Sequence, residues 1–246
     1  KEVYLLAFLI FLLFTINYSF IDNYLKEIYF NVDKEDFTVK RVIDGDTFVV
    51  GENTSVRLFG INTPERGEVF YQEAKEFLEN LVLNKTVFIE SFGQDMYYRE
   101  LGVVFFENMN VNVKLVKEGL ANVYLLDDKS YEKELRSAWK ECIDNNRNLC
   151  HKSNNKCVSC IELKEWDIVS QEVLLYNRCD FVCDLTGWSI KDEGRKKFIF
   201  GKTNLNSKEE IIITAEDFKQ DYVWTFTGDS LFLRDNEGKL VLWENY

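Results

Sequence analysis

Between Phe37 and Asn145 the chain alternates short strand signals with helical ones in a definite order. Residues 37–50 read as two strands, with Val39 and Val42 and then Phe48 and Val50 apolar, interrupted by Asp44-Gly45-Asp46. Gly51-Glu52-Asn53-Thr54 reads as a hairpin turn into a third strand that runs toward Ile61. Phe70, Ala74, Phe77, Leu78 and Leu81 then fall at helical spacing. Two further strands follow over residues 85–111, a short helix closes at Gly119, and a last helix carries Leu135, Ala138, Trp139 and Cys142 on one side. Five strands with a helix after the third and two at the end suit a small closed barrel of the OB-fold type, a class that commonly binds nucleic acids. The fold class expected is therefore mainly β with three helices in this part.

Four polar islands interrupt the barrel pattern: Asp44 to Thr47, Arg57, Asn62 to Glu65, and Asp95 with Arg99. Singly, each reads as a turn or a solvated face. Pro64 is the only proline of the chain and stands between Thr63 and Glu65. Proline fixes its own φ and pushes the preceding residue toward an extended conformation, so this turn is expected to be rigid.

In order, the islands resemble the staphylococcal nuclease (thermonuclease) family from about Phe37 to Leu149. The resemblance is carried by D-G-D-T, then R-L-x-G-I-N-T-P-E, then D-x-Y-x-R. It implies a calcium-dependent phosphodiesterase that hydrolyses DNA or RNA to 3′-phosphorylated products. The residue roles it implies are calcium ligation by Asp46, Asn62 and the Thr63 carbonyl, and proton abstraction from water by Glu65. Arg57 and Arg99 would hold the phosphate, and Tyr97 would lie beside the nucleotide. The chain departs from the family pattern at Asn62, where a second aspartate is usual, and at Met96, where lysine is frequent. A non-catalytic nucleic-acid-binding protein of the cell envelope is the alternative, although Asp46, Arg57, Glu65 and Arg99 are all present.

Charge limits how a nucleic acid is attracted. The chain carries a net charge of −12, and residues 37–127 hold 9 Lys and Arg against 14 Asp and Glu. Capture of phosphate is therefore expected to be local rather than spread over a basic surface. A single histidine, His151, argues against a His-rich metal site or a His-based triad.

The remainder divides into three expected parts besides the barrel domain at 37–150. Residues 1–22 contain 18 uncharged positions from Val3 to Phe20 and read as a transmembrane anchor, or alternatively a cleaved signal segment, followed by a juxtamembrane spacer at 23–36. The expected placement is membrane-anchored with the catalytic domain outside the cytoplasm, the alternative being secretion, and the protein is expected to be a monomer. Residues 151–160 form a Cys-rich linker, and 161–246 show seven short strands expected to make an immunoglobulin-like sandwich. Leu185-Thr186-Gly187-Trp188, Gly228 to Leu231 and Asp235 to Val241 resemble the lamin tail domain, which implies an accessory binding module without a catalytic set. Cys157, Cys160, Cys179 and Cys183 could form disulfides between the two segments or hold zinc; disulfides are the expected state in an oxidising compartment. Cys142 is expected to be a buried thiol or a partner for Cys150.

Overall fold

The protein is described by a computed structural model over residues 36–125 and 129–246. The expected anchor at 1–22 and nearly all of the spacer at 23–36 lie outside these residues. Among the described residues no helix is long and apolar enough to cross a membrane.

The first part is a closed barrel. Its strands are β1 (Asp36–Val42), β2 (Thr47–Val50), β3 (Thr54–Leu58), β5 (Thr86–Gln94) and β6 (Glu100–Phe106), with the short β4 (Ile61–Asn62), β7 (Met109–Asn110) and β8 (Asn122–Val123) around them. The ladder runs β3-β2-β1-β5-β6-β7, and a parallel β3–β6 pairing closes it. A bulge between Val39 and Arg41 bends β1, as closure of a small barrel requires. Helices α1 (Tyr71–Val82), α2 (Val111–Lys117) and α3 (Glu132–Asn145) pack outside the strands. Ala74, Leu78 and Val82 of α1 recur at helical spacing and are fully buried against strand residues such as Phe48, Val56 and Leu58. Asn112 is the polar exception in this packing. Its amide donates to Phe59 O and Gly102 O and accepts from Val104 N, so α2 is fastened across the closing seam.

The second part holds nine strands: β9 (Ile161–Asp167), β10 (Glu172–Asn177), β11 (Cys183–Asp184), β12 (Ser189–Lys191), β13 (Lys197–Ile199), β14 (Asn204–Leu205), β15 (Glu210–Thr214), β16 (Ser230–Arg234) and β17 (Leu240–Asn245). Seven match the strands expected from the sequence; β11 and β14 are two-residue pieces too short for periodicity to reveal. They form the sheets β15-β10-β9 and β13-β12-β16-β17, with β11–β14 as a separate pair. Val173, Leu175 and Ile213 from the first sheet and Ile190, Leu231 and Leu233 from the second share one buried core with Trp188 and Trp224.

Disulfides Cys157–Cys183 and Cys160–Cys179 staple the start of this module to the segment ahead of β12, and Cys142–Cys150 ties the end of α3 to the chain that leaves it. All six sulfurs are thereby used, and no thiolate remains for the zinc alternative. The two parts are also packed together. Trp139 of α3 meets Phe232 of β16 and Trp243 of β17 edge-on, at ring separations of 5.6 and 6.1 Å. Phe232 and Leu240 belong to the barrel's core cluster rather than to that of their own module. The segment expected as a linker takes part: Leu240 N donates to His151 O, and Ser153 N donates to Leu240 O.

This shared packing makes the module a structural support of the barrel. Phe232→Ala is expected to cost about 3–5 kcal/mol, the range for deleting a buried aromatic ring. The loss should lower the unfolding midpoint of the barrel together with that of the module. A calorimetric scan in which the barrel transition stays in place would contradict the shared core.

Candidate active site

Barrel closure places the two arginines. In the parallel β3–β6 pairing Arg57 lies opposite Leu101, and Arg99 stands immediately before β6. Both arginines line one cleft of about 500 Å³, together with Asn62 and Tyr97. Arg57 is only 6% exposed. Its Nη1 donates to Leu58 O at 2.9 Å and lies 3.2 Å from Asp46 Oδ2, and its Nη2 donates to Asn62 Oδ1 at 3.0 Å. A buried guanidinium needs such a set of acceptors, because desolvation without them is very costly.

Arg99 is held differently. Asp95 Oδ2 accepts from Arg99 Nε at 2.7 Å, while Asp95 Oδ1 accepts from the backbone N–H groups of Tyr97 and Arg99. Burial pushes the Asp95 carboxyl up, but the Arg99 backbone and side-chain bonds and the Tyr97 backbone bond outweigh it and hold it below the ordinary carboxylate range. The Arg99 guanidinium lies 5.4 Å from the Tyr97 ring centre.

Asp46 and Thr63 sit on the Arg57 network. Thr63 donates to Asp46 Oδ2 through both its N–H and its hydroxyl, each at 2.9 Å, and Thr47 donates to Asp46 Oδ1. This approach needs Gly45: a Cβ there would stand 2.9 Å from Thr63 and 2.8 Å from Ala74. The Asp-Gly-Asp loop and the Thr-Pro-Glu turn therefore interlock. Asp46, Asn62 and Thr63 together offer a carboxylate, an amide oxygen and a backbone carbonyl. Such a set is all hard oxygen, the donor class calcium takes, with one carboxylate charge among the three; Asp46 Oδ2 and Asn62 Oδ1 both face the Arg57 guanidinium in this structure. Among the described residues no group of three or more His, Cys, Asp or Glu side chains could hold a metal ion.

Glu65 stands at the edge of this arrangement and pairs with a residue that sequence reasoning did not single out. Arg195, between β12 and β13, places its Nε 2.7 Å from Glu65 Oε1. The same connection reaches three other points of the barrel. Asn62 Nδ2 donates to Gly194 O at 2.9 Å and to Glu193 O at 3.4 Å, Leu125 N donates to Glu193 Oε1, and Lys191 and Lys197 both pair with Glu68. Tyr124, Lys196 and Tyr222 also line the cleft. The available sequence signal was Arg195-Lys196-Lys197, the one run of three cations in an acidic chain.

Three carboxyls, those of Asp192, Glu193 and Asp229, also line the cleft. Burial, followed by the charge of Asp229, raises Asp192 to about 7 and Glu193 to about 8. Asp229 is also raised, by burial, against hydrogen bonds from Ser230, Glu193 and Thr225.

The chain matches the family model described as "Staphylococcal nuclease homologue" over residues 55–152, a span that contains Arg57, Asn62, Thr63, Glu65, Tyr97 and Arg99 and begins after Asp46. It is 36% identical over 124 residues to a thermonuclease of Staphylococcus intermedius, covering 45% of this chain and 73% of that protein. It is 34% identical over 117 residues to a micrococcal nuclease of Shigella flexneri, covering 40% of this chain and 67% of that protein. An uncharacterized endonuclease of Haemophilus influenzae is 35% identical over 96 residues; the match spans 37% of this chain and about half, 54%, of that relative.

The buried acids set a pH dependence. A carboxyl raised in the folded state contributes stability that is complete below its unfolded pKa and is lost as pH rises through the folded value. For Asp192 and Glu193 that loss runs from about pH 4 up to about 7 and 8. The melting temperature is expected to fall over this window, and to fall less in Glu193→Gln. Parallel curves for the two proteins would show that Glu193 does not ionise at this seam.

Proposed function

We propose that this chain, which belongs to the staphylococcal nuclease family, is a nuclease that hydrolyses DNA or RNA to 3′-phosphorylated products with calcium as cofactor. The family is one of phosphodiester hydrolases. The observation that carries the reading is the convergence of Arg57 and Arg99 on one cleft, with Asp46, Asn62 and Thr63 tied to the same Arg57 guanidinium.

Each residue then has a distinct task. Arg57 and Arg99 hold the non-bridging phosphate oxygens from two sides. Their planar donors are oriented beforehand by Asp46 and Asn62 and by Asp95, so no reorganisation is needed as charge grows on phosphorus. Glu65 accepts the proton of the attacking water. The bond from phosphorus to the 5′ oxygen breaks, and that oxygen leaves with a proton from solvent. Tyr97, 67% exposed, offers a ring face to the nucleotide. Calcium, held by Asp46, Asn62 and the Thr63 carbonyl, would supply positive charge beside the phosphate.

In this reading the C-terminal module is lamin-tail-like, with an immunoglobulin-type sandwich, and acts as an accessory binding module. Residues 1–22 anchor a monomer in the membrane with the nuclease outside the cytoplasm; a secreted form is the alternative. Support comes from the three disulfides, which persist in oxidising compartments.

The test is cleavage of single-stranded DNA and of RNA with calcium or with chelator. Cleavage is expected only with the metal. Arg57→Lys and Arg99→Lys should each lower kcat/KM by about 10²–10³-fold, the usual effect of removing one oriented donor from an anionic transition state. Glu65→Gln should lower kcat by about 10²–10⁴-fold. Full activity in chelator overturns the metal assignment. Binding without any cleavage leaves the non-catalytic alternative.

A further inference from the structure

The cleft has two walls, and Arg57, Asn62, Tyr97 and Arg99 occupy one. The other belongs to the C-terminal module. Gly194, Arg195 and Lys196 from the β12–β13 connection line it, with Tyr222 and Thr225 from the segment before β16. We propose that Arg195, Lys196 and Tyr222 form a second nucleotide subsite, in which the Tyr222 ring stacks a base and the two cations hold a phosphate next to the scissile one. The proposal rests on the nuclease reading of the cleft and gives the module a direct part in substrate binding.

Tyr222 is 60% exposed and lines the same cleft as Tyr97, Arg57 and Arg99. Its setting is ordered. Lys196 Nζ stands 4.0 Å from its ring centre and donates to Val223 O at 3.0 Å, so ring, ammonium and backbone form one unit. One ring face meets the ammonium, which leaves the other for a base. An aromatic face with an adjacent cation is what a nucleic acid strand recognises without regard to sequence.

Charge supports the same occupant. Arg195 and Lys196, two of the only run of three consecutive cations in a chain of net charge −12, line this cleft. Asp192, Glu193 and Asp229 line the cleft as well, and their oxygens accept hydrogen bonds from both halves of the chain. Glu193 accepts from Leu125 N and Ser230 Oγ, Asp192 from Lys196 N, and Asp229 from the backbone of Glu193, Thr225 and Ser230. Lys197 is matched by the Glu68 carboxylate and Arg195 by that of Glu65. The Arg195 and Glu65 side chains are 63% and 46% exposed. An ion pair in that much water is weak and exchanges readily. A phosphate entering the cleft competes for the Arg195 guanidinium, and the exchange releases Glu65 to accept a proton.

The test measures binding of a fluorescein-labelled heptathymidylate to the full chain by anisotropy, with Glu65→Gln throughout to stop turnover. Tyr222→Ala is expected to weaken binding about 5- to 150-fold, the span of one base–aromatic stack. Tyr222→Phe should bind within about twofold of the parent, because stacking does not need the hydroxyl. Arg195→Ala should lower the slope of log affinity against log salt by about 0.7, one phosphate contact on a single strand. Unchanged affinity in Tyr222→Ala and an unchanged salt slope in Arg195→Ala, in proteins that melt as the parent does, overturn the subsite. A parent that binds the oligonucleotide through Tyr222 while the Glu65 protein cleaves nothing sinks the nuclease reading and leaves the subsite standing. A chain that cleaves but is indifferent to Tyr222 and Arg195 does the reverse.

Discussion

The Arg57 guanidinium is the interaction on which the site and much of its surroundings depend. It is a buried cation, and a buried cation fixes its neighbours because each acceptor must be in place. Asp46 on one loop, the Leu58 carbonyl on its own strand and Asn62 on β4 all orient toward it. Thr63 is positioned in turn through Asp46. Removing Asp46 would leave both an unpaired charge and two orphaned Thr63 donors, so the site would lose its geometry along with any metal ligand. The single proline belongs to the same logic. Thr63 must present its N–H and hydroxyl to Asp46 while Glu65, two residues on, reaches Arg195, and the restricted backbone at Pro64 holds those two directions apart.

Contact with the C-terminal module extends this network by one step. Asn62 connects Arg57 on one side to the Gly194 and Glu193 carbonyls on the other. Behind it, Trp139 packs on Phe232 and Trp243. The module is thus held at two places, a polar one at the mouth of the cleft and an apolar one at α3. The aromatic contact supplies most of the adhesion, since ring burial is worth far more than half-exposed ion pairs such as Arg195–Glu65. The polar contact fixes the position of the second wall relative to the first.

The barrel is legible in the sequence because its signals are local. Alternation in β1 to β3, the helical spacing of Ala74, Phe77, Leu78 and Leu81, and the turn residues between them each reside within a few positions. The ordered islands from Asp44 to Arg99 are legible as a set, and the structure brings Arg57, Asn62, Tyr97 and Arg99 to one cleft. Cys157 and Cys160 join Cys183 and Cys179 as their grouping suggested, although spacing alone does not choose the pairs. Tyr222, Arg195 and Phe232 are a different case. An exposed tyrosine, a cation in a turn and an apolar strand residue have no local mark that separates a role in the other half of the chain from a role in their own.

Asn62 shows most clearly why. Compared with the family pattern alone, asparagine in place of aspartate reads as one lost charge at a metal site. In the folded chain the position has a second demand, a donor for two carbonyls 131 and 132 residues away. An amide meets the demands of Arg57 and of the module, since its oxygen accepts from Arg57 while its nitrogen donates to the module. A carboxylate would meet only the first. It would also face the Glu193 and Gly194 carbonyls and add a fourth acid near Asp192, Glu193 and Asp229, all three of which burial already pushes upward. The amide at position 62 is thus the side chain that fits both the Arg57 guanidinium and the docked module.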